Sequence, residues 1–572
     1  MAKLFYACFR KGKPSYFSRE NIEALSGRLE PDNIKFTNPR VISGKGIFSA
    51  IFNENPVVIA KGSSICLGTM VGPQNNWWVP KRDIPDGTYA LFRSNEEFVE
   101  VISDATASRT IWYYFDEEMF IAATSQRAIV FFLRDFHFNE RVIPWMLSSG
   151  TPGPGNSWDN RLKMLEGNSS LLLDRNKWKI SVEREELEYH EVQRDKKNHE
   201  DELLRALTET FRSLDLDYSK WILTLSGGSD SRSILYMLKD VDDLTCITWG
   251  LAASRIQKSN DAYIAALLAQ RYNKDHRYYL THPSIEPVEK ILNRYLICSE
   301  GRIDHIIGYV DGFRIWKELF NECTWGVIRG DQEFGQAPVY SEYHVRLKIG
   351  FPVASDFTNL EMIGTNGIYD QIIPDRLQKK ENETLATYRD RVYHEFRQSH
   401  IMAALNDIKS TYLEIVNPLL CKNILRTIRT LPDELRTNKK LIKEILTNMD
   451  PSIPFARHIA IDRNENFLST GMVQKEMLNE MGTSEILSML PEEFAEILLG
   501  KRGQNGVKQK IEQIIRKKMK HYLSNKIKGM LKSTIAKPGV NYHVLLFRMY
   551  ILSKMKKLLD EDAGFIQPEV SS

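Results

Sequence analysis

The pattern of apolar and polar positions changes along the chain, and the first change comes near residue 185. Up to that point short apolar runs alternate with polar positions and are separated by charged or glycine turns. Alternation with a period of two predicts half-buried β-strands, so we expect a β-rich N-terminal domain. The clearest predicted strands are 88–92, 98–102, 110–114 and 119–123.

Between residues 220 and 335 strand-like runs alternate with helical stretches. This order favours a parallel sheet with helices on both faces, a doubly wound α/β domain, in which ligands bind at the carboxyl ends of the strands. Beyond residue 355 the pattern is mainly helical. The predicted strands are 221–225, 244–249, 278–280 and 325–328, and the predicted helices are 232–239, 259–272 and 308–322.

The predicted organisation is therefore α+β followed by α/β. We expect a β-rich sandwich domain at 1–185, a parallel-sheet domain at 200–480 and a basic helical region at 481–572. Residues 185–200 are strongly charged and predict a linker that leads into a helix at about 200–213.

Composition narrows the class of protein. The chain has 572 residues, 42% of them hydrophobic and 26% charged, which is typical of a globular protein with more than one core. Its six cysteines are scattered without a Cys-x-x-Cys pair, so neither a zinc site nor a disulfide framework is expected. No apolar run is long enough for a membrane span or a signal peptide, and we expect a cytoplasmic protein.

The most informative motif follows the predicted strand 221–225. Two glycines and three serines precede a helix, and this arrangement lets backbone N–H groups and the helix N-terminus converge on a phosphate. Asp230 could hold the Mg²⁺ ion that shields a polyphosphate such as ATP. The motif differs from a Walker loop, which needs Gly-Lys-Ser/Thr. The residues of this predicted phosphate cradle are Leu225, Ser226, Gly227, Gly228, Ser229, Asp230 and Ser231.

This cradle resembles that of the PP-loop ATP pyrophosphatases, which cleave ATP to AMP and pyrophosphate while they adenylate a substrate. Further segments resemble the asparagine synthetase family over roughly residues 80–470. The resemblance implies a glutaminase-like (Ntn-type) N-terminal domain and a PP-loop synthetase domain that binds ATP and Mg²⁺. The matching runs begin at Asp86, Asp104, Ala123, Thr248, Gly330, Asn417 and Lys439.

Within the resemblance, three residues gain a predicted role. Trp249 stands where the family contacts adenine, with core packing as the alternative. Gly330 and Asp331 resemble a turn whose aspartate binds magnesium, and Asp331 is accordingly a predicted catalytic and metal-binding residue. A turn-capping aspartate is the alternative for Asp331. Two aspartates at two strand ends, Asp230 and Asp331, could together hold cations against the pyrophosphate.

The sequence departs from the family at two positions. Glutamine-using members carry a nucleophilic cysteine directly after the initiator methionine, but Ala2 stands here, so glutaminase activity is not expected. The family branches without this cysteine include β-lactam synthetases and lasso peptide cyclases. The late lysine that stabilises the phosphorus centre is also missing around 451–458. Arg457 is the predicted catalytic substitute, and Arg463 and Lys443 are the alternatives.

The C-terminal region is strongly basic. Residues 501–557 contain 16 lysines and arginines and one acid, Glu512, among apolar residues at helical spacing. One interpretation is amphipathic helices packed on the core with a solvated basic face. The alternatives are an acidic peptide or partner protein, or an anionic membrane surface contacted peripherally. Nucleic acid ranks last because no aromatic residues interleave the lysines.

These features predict an ATP-dependent ligase that adenylates a carboxylate and lets an amine attack it. We expect the substrate to be a peptide or natural-product precursor, with macrocyclisation or amide synthesis as the outcome. The first alternative is an ammonia-dependent asparagine synthetase. The second is a catalytically degenerate scaffold that binds a partner through the basic tail.

Overall fold

The computed structural model describes residues 3–35, 37–186, 188–331, 333–364, 370–499 and 537–565. These residues form two six-stranded antiparallel sheets, one five-stranded parallel sheet and the helices around them. The predicted combination of antiparallel β-structure with a parallel sheet and helices is thereby confirmed. The basic stretch 501–536 lies outside the described residues, so the interpretations of it stay predictions.

The two antiparallel sheets pack face to face. Leu4, Tyr6 and Cys8 of the first strand share a core cluster with the second sheet, whereas Phe5 and Phe9 point to the other face. This alternation follows from the two-residue period of a strand. The first sheet has the order β10-β8-β9-β1-β3-β2 and the second β12-β11-β7-β6-β5-β4. The strands are β1 Lys3–Phe9, β2 Arg40–Gly44, β3 Ile47–Phe52, β4 Ile59–Lys61, β5 Ser64–Val71, β6 Asp86–Ser94, β7 Phe98–Ser103, β8 Trp112–Phe115, β9 Met119–Ala123, β10 Lys163–Met164, β11 Ser169–Asp174 and β12 Lys179–Arg184.

The parallel sheet has the order β15-β14-β13-β16-β17. Its first strand is central, and the chain moves outward on one side before it returns to the other. Such a reversal is a topological switch point, here between β13 and β16, and crevices for ligands form at the carboxyl ends of these strands. The strands are β13 Trp221–Thr224, β14 Cys246–Gly250, β15 His276–Leu280, β16 Gly326–Ile328 and β17 Glu414–Val416.

Strand β17 differs from the sequence prediction, which made the chain mainly helical beyond residue 355. This strand has three residues, all buried. A buried run of this length has no periodicity that separates strand from helix. Its place is set by pairing with β16, which joins Val327 to Ile415.

The helices surround the sheets and fill the C-terminal half. A ten-residue π-helical segment, Tyr393–Met402, continues the helix that begins at Leu385. The other α-helices are Arg19–Leu29, Gln126–Leu133, Val142–Ser149, Lys196–Arg212, Ser229–Met237, Asp261–Arg271, Val288–Ser299, Arg314–Asn321, Glu342–Ile349, Glu361–Gly364, Leu385–Val392, Ala403–Ser410, Lys422–Arg429, Asp433–Arg436, Lys440–Met449, Asn464–Leu468, Gly471–Met481, Glu492–Leu498 and Tyr542–Ala563.

The last helix, Tyr542–Ala563, contains the apolar run predicted at 544–552. It packs against the helices Gln126–Leu133 and Val142–Ser149 of the N-terminal part and against Gly471–Met481. Within the described ranges, no helix combines the length and the apolar character that a bilayer crossing requires.

The burial of Asp311, just before the helix Arg314–Asn321, can be tested through the pH dependence of stability. Burial raises the pKa of its carboxyl group to about 6, although the N–H groups of Ile315 and Phe313 donate to it and act in the opposite direction. At about 1.4 kcal/mol per pKa unit, keeping this group charged costs about 3 kcal/mol. Asp311 holds its proton more tightly in the folded state, so this cost is absent below pH 3.8 and complete above about 6.

Asp311→Asn is therefore expected to remove a loss of stability that the wild type shows as pH rises through this window. Urea unfolding on both sides of the window checks the prediction, since the variant should gain on the wild type only as pH increases. Asp304→Asn is the control of opposite sign. Burial alone would raise the pKa of Asp304, but Arg548 and His305 outweigh burial and lower it to about 2. Parallel pH curves for the wild type and Asp311→Asn would contradict the prediction.

Candidate phosphate-binding site

The predicted phosphate cradle lies at the switch point, between β13 and the helix Ser229–Met237. Gly228 is the N-cap residue of this helix, and among the described residues no side-chain hydrogen bond caps the helix start. Uncapped N–H groups at a helix start attract anions because they add to the positive end of the helix dipole. Gly228 and Asp230 are partly exposed, so the start of the helix is open to a ligand.

Serine hydroxyls hold this turn together. The Ser231 hydroxyl oxygen lies 3.0 Å from both the backbone nitrogen and the hydroxyl oxygen of Ser226. The Gly228 N–H donates to the Ser226 hydroxyl oxygen over 3.2 Å. Both hydroxyl groups therefore shape the turn.

Gly227 allows two chain segments to pack closely, and this structural role differs from its predicted role in phosphate binding. Its N–H donates to Asp261 over 3.1 Å, and its carbonyl oxygen accepts from the Ala456 N–H over 3.0 Å. A Cβ atom at Gly227 would lie 2.5 Å from the Ala456 Cβ and 2.8 Å from the Ile264 Cβ. This glycine is required for the close approach of two chain segments, and its N–H is already used.

Asp230 is ion-paired. The Lys439 ammonium lies 2.6 Å from one oxygen of the Asp230 carboxylate and 2.9 Å from the other. Lys443 is one turn further along the helix Lys440–Met449, and burial followed by repulsion from Lys439 lowers its pKa. The helix start is therefore flanked by two carboxylates, Asp230 and Asp261, and by two lysines.

Lys439 is a residue of the candidate site that sequence reasoning missed. It appeared only as part of the run 439–443, and the search for a late cation concentrated on 451–458. Lys439 and its neighbour Asn438 both adopt left-handed backbone conformations, with φ of 59° and 60°. Such conformations are uncommon for residues other than glycine and cluster at functional sites.

The second predicted magnesium ligand, Asp331, follows β16 in a turn that touches the cradle. A Cβ atom at Gly330 would lie 2.8 Å from the backbone nitrogen of Ser231, so the two turns are in van der Waals contact. Asp331 is buried and accepts from the Arg329 guanidinium over 3.0 and 3.1 Å. Burial raises the pKa of Asp331, but Arg329 outweighs burial and the net pKa is lowered.

The ion pairs of Asp230 and Asp331 determine whether these residues can bind magnesium. Each of the two predicted metal ligands already has a bidentate cation partner. Within the described residues, no cluster of three or more His, Cys, Asp or Glu side chains is arranged to hold a metal ion. The residues therefore fit a phosphate anion, but they do not fit a free Mg²⁺ ion.

Arg457 lies on a segment that is fixed beside the cradle. The Arg232 guanidinium donates to the carbonyl oxygens of Ile453 and Pro454 over 2.8 and 2.7 Å. The Arg457 N–H donates to the carbonyl oxygen of Ser259 over 2.8 Å, and the side chain is exposed. Arg457 thus lies next in the chain to Ala456, which contacts Gly227. Its side chain has no hydrogen-bond or ion-pair partner among the described residues.

Trp249 stands at the end of β14 and is half-buried. Its ring packs edge-to-face on Trp316, with 5.6 Å between the ring centroids. This contact accounts for part of the ring surface by core packing, which was the alternative to the predicted adenine contact.

Comparison with known proteins adds two weak likenesses. No protein-family model matches the chain. No curated protein matches it either. The allosteric regulatory enzyme of purine biosynthesis is 9% identical over 49% of this chain and 82% of its own, with a TM-score of 0.21. Glutamine phosphoribosylpyrophosphate amidotransferase from B. subtilis, solved with ADP and GMP, is 8% identical over 49% and 83%, with a TM-score of 0.19. Scores this low carry no argument, so function rests on the site itself.

Proposed function

We propose that the protein is an ATP-dependent ligase that forms AMP and pyrophosphate and joins a carboxylate to an amine. The observation that carries this proposal is the uncapped start of the helix Ser229–Met237, placed at the switch point with Lys439 and Lys443 beside it. A helix N-terminus flanked by two ammonium groups suits a departing pyrophosphate better than any neutral ligand.

In this reaction a carboxylate oxygen of the substrate bonds to the α-phosphorus, and the bond from that phosphorus to the bridging oxygen breaks. The pyrophosphate leaves towards the helix start, where the two lysines compensate its charge. An amine then attacks the acyl carbon, loses a proton and displaces AMP. Magnesium, when it is bound with the nucleotide, supplies further charge compensation on the phosphates.

The N-terminal sandwich serves in this proposal as a glutaminase-like (Ntn-type) scaffold without its own chemistry. Position 2, where the family carries its nucleophile, is alanine and lies outside the described residues. Cys8 is buried within β1, and burial raises the pKa of its thiol, so it is not a substitute nucleophile. The amine therefore comes with the substrate, which favours a peptide or natural-product precursor.

Lys443, the second lysine beside the cradle, allows a direct test with ATP as the only ligand. Lys443→Met is expected to weaken ATP binding about tenfold, which corresponds to about 1.4 kcal/mol, because a positive charge near Asp230 and the helix start is lost. Lys440→Met is the matched control, since Lys440 is exposed on the same helix. Calorimetric titration of ATP into the three proteins measures the effect.

The reaction products show which bond of ATP is cleaved. Incubation with ATP, magnesium and candidate carboxylates should release AMP and pyrophosphate, and Asp230→Ala should abolish the release. ADP and phosphate as products, or full turnover in Asp230→Ala, would contradict the proposal. Aspartate with ammonium as the preferred pair would instead establish an asparagine synthetase.

A catalytically degenerate scaffold remains a second candidate because of Asp331. Its carboxylate is buried and fully engaged by Arg329, whereas a metal-binding role requires it to face the phosphates. Failure of the wild type to bind ATP in the same titration would favour this function over the ligase.

A further inference from the structure

We propose that the Lys439 ammonium is the resident counter-ion of Asp230, and that a divalent cation enters this site only together with a nucleotide. The inference deepens the proposed function, because the phosphates of the nucleotide would draw Lys439 away from the carboxylate. The ligand of the site is then a metal–nucleotide complex and not the free metal.

The contact geometry supports this assignment. One ammonium group lies within hydrogen-bond distance of both Asp230 oxygens, at 2.6 and 2.9 Å. Mg²⁺ binds carboxylate oxygens at about 2.0–2.1 Å and demands near-octahedral geometry. It cannot take an Asp230 oxygen while the ammonium remains there, so Lys439 must leave first.

Charge acts in the same direction. Asp230 and Asp261 contribute one negative charge each, and Lys439 and Lys443 contribute one positive charge each, so these four groups sum to zero. The start of the helix Ser229–Met237 adds a positive potential. A free divalent cation therefore meets no net negative charge at this site, whereas a triphosphate brings several negative charges that attract the cation.

The second predicted metal ligand offers no alternative to Asp230. Asp331 is 7% exposed and is held by Arg329, two residues earlier, through two hydrogen bonds. Arginine keeps its proton throughout the physiological range, so this pair does not open by deprotonation.

Lys439, in contrast, is placed where it can exchange partners. Its side chain is 21% exposed and that of Asp230 22%, so a ligand can reach both. The left-handed residues Asn438 and Lys439 set the lysine at the start of the helix Lys440–Met449, opposite the cradle. A four-carbon side chain with a single charged tip can swing from a carboxylate to a phosphate without a change in the backbone.

Manganese binding measured by electron paramagnetic resonance tests the inference on the full chain. Without nucleotide, Lys439→Met is expected to bind Mn²⁺ at least about tenfold more tightly than the wild type, because Asp230 becomes available. Lys439→Arg should behave as the wild type, since it retains the charge. The double variant Lys439→Met with Asp230→Asn should lose the gain, which assigns the ion to Asp230.

The outcomes separate this inference from the proposed function. Wild-type protein that binds Mn²⁺ alone as tightly as Lys439→Met would overturn the inference, while ATP binding in a metal-free titration would still support the ligase. Wild-type protein that binds neither ATP nor its manganese complex would overturn the proposed function and the nucleotide-dependent entry together. Circular dichroism of each variant verifies that the fold is retained.

Discussion

Replacing Asp562 with alanine is expected to lower the free energy of unfolding by about 3–5 kcal/mol, the typical cost of breaking a buried ion pair. Asp562 is fully buried near the end of the helix Tyr542–Ala563. Its carboxylate accepts from Arg127 over 2.6 and 3.0 Å and from Arg28 over 2.5 Å. Arg127 is 1% exposed, so the variant would leave a charged guanidinium in the interior without its carboxylate.

Chemical denaturation of the variant and the wild type measures this effect, and the neighbouring residue offers a matched control. Glu561 lies 3.3 Å from Arg28, but its side chain is 62% exposed, so Glu561→Ala should cost less than about 1 kcal/mol. Equal losses in the two variants would show that the final helix is not anchored through Asp562.

This helix joins the two halves of the molecule. Near its middle, the Arg548 guanidinium lies 2.7 Å from Asp304, which belongs to the parallel-sheet part. The same guanidinium donates to the carbonyl oxygens of Leu147 and Ser148 in the N-terminal part. The helix that follows the undescribed residues 500–536 thus ties the N-terminal part to the parallel-sheet part.

Local sequence patterns predicted the parts of the fold that depend on local physics. The strand predicted at 119–123 is β9, and the strand predicted at 88–92 lies within β6, because alternation reports burial on one face. The glycine turn after residue 225 was identified because turn chemistry is also local. The short strand β17 was missed because its pairing with β16 places it. The helix Val288–Ser299 was also missed, although its buried residues recur at helical spacing.

The partners of the site residues could not be predicted in the same way. Lys439 reaches Asp230 across 209 positions of the chain, and no periodicity connects the two. Glu333, two residues after Asp331, is a second example. Its carboxylate contacts His394 and Arg429, which lie on two helices far away in the sequence. Sequence identified which residues carry charge near the turn, but only the packed structure shows which of those charges are already neutralised.

Gly227→Ala is the variant expected to have the largest effect on ligand binding. The added methyl group would lie 2.5 Å from the Ala456 Cβ and 2.8 Å from the Ile264 Cβ, closer than carbon atoms approach. Neither neighbour can rotate away, because alanine has no side-chain torsion and Ile264 is buried in the helix Asp261–Arg271. The turn and the segment that carries Arg457 must therefore separate.

Overpacking of this kind costs typically about 1–3 kcal/mol. Because the displaced turn must return to its native shape to bind the phosphates, the same energy is lost from ATP binding, which corresponds to a loss of about 5- to 150-fold in affinity. Calorimetric titration of ATP measures the loss. Gly471→Ala is the control for the same substitution, since nothing lies within 4 Å of the new Cβ there. If Gly227→Ala bound ATP as the wild type does while its melting temperature fell, the turn would be structurally required but would not be where the phosphates bind.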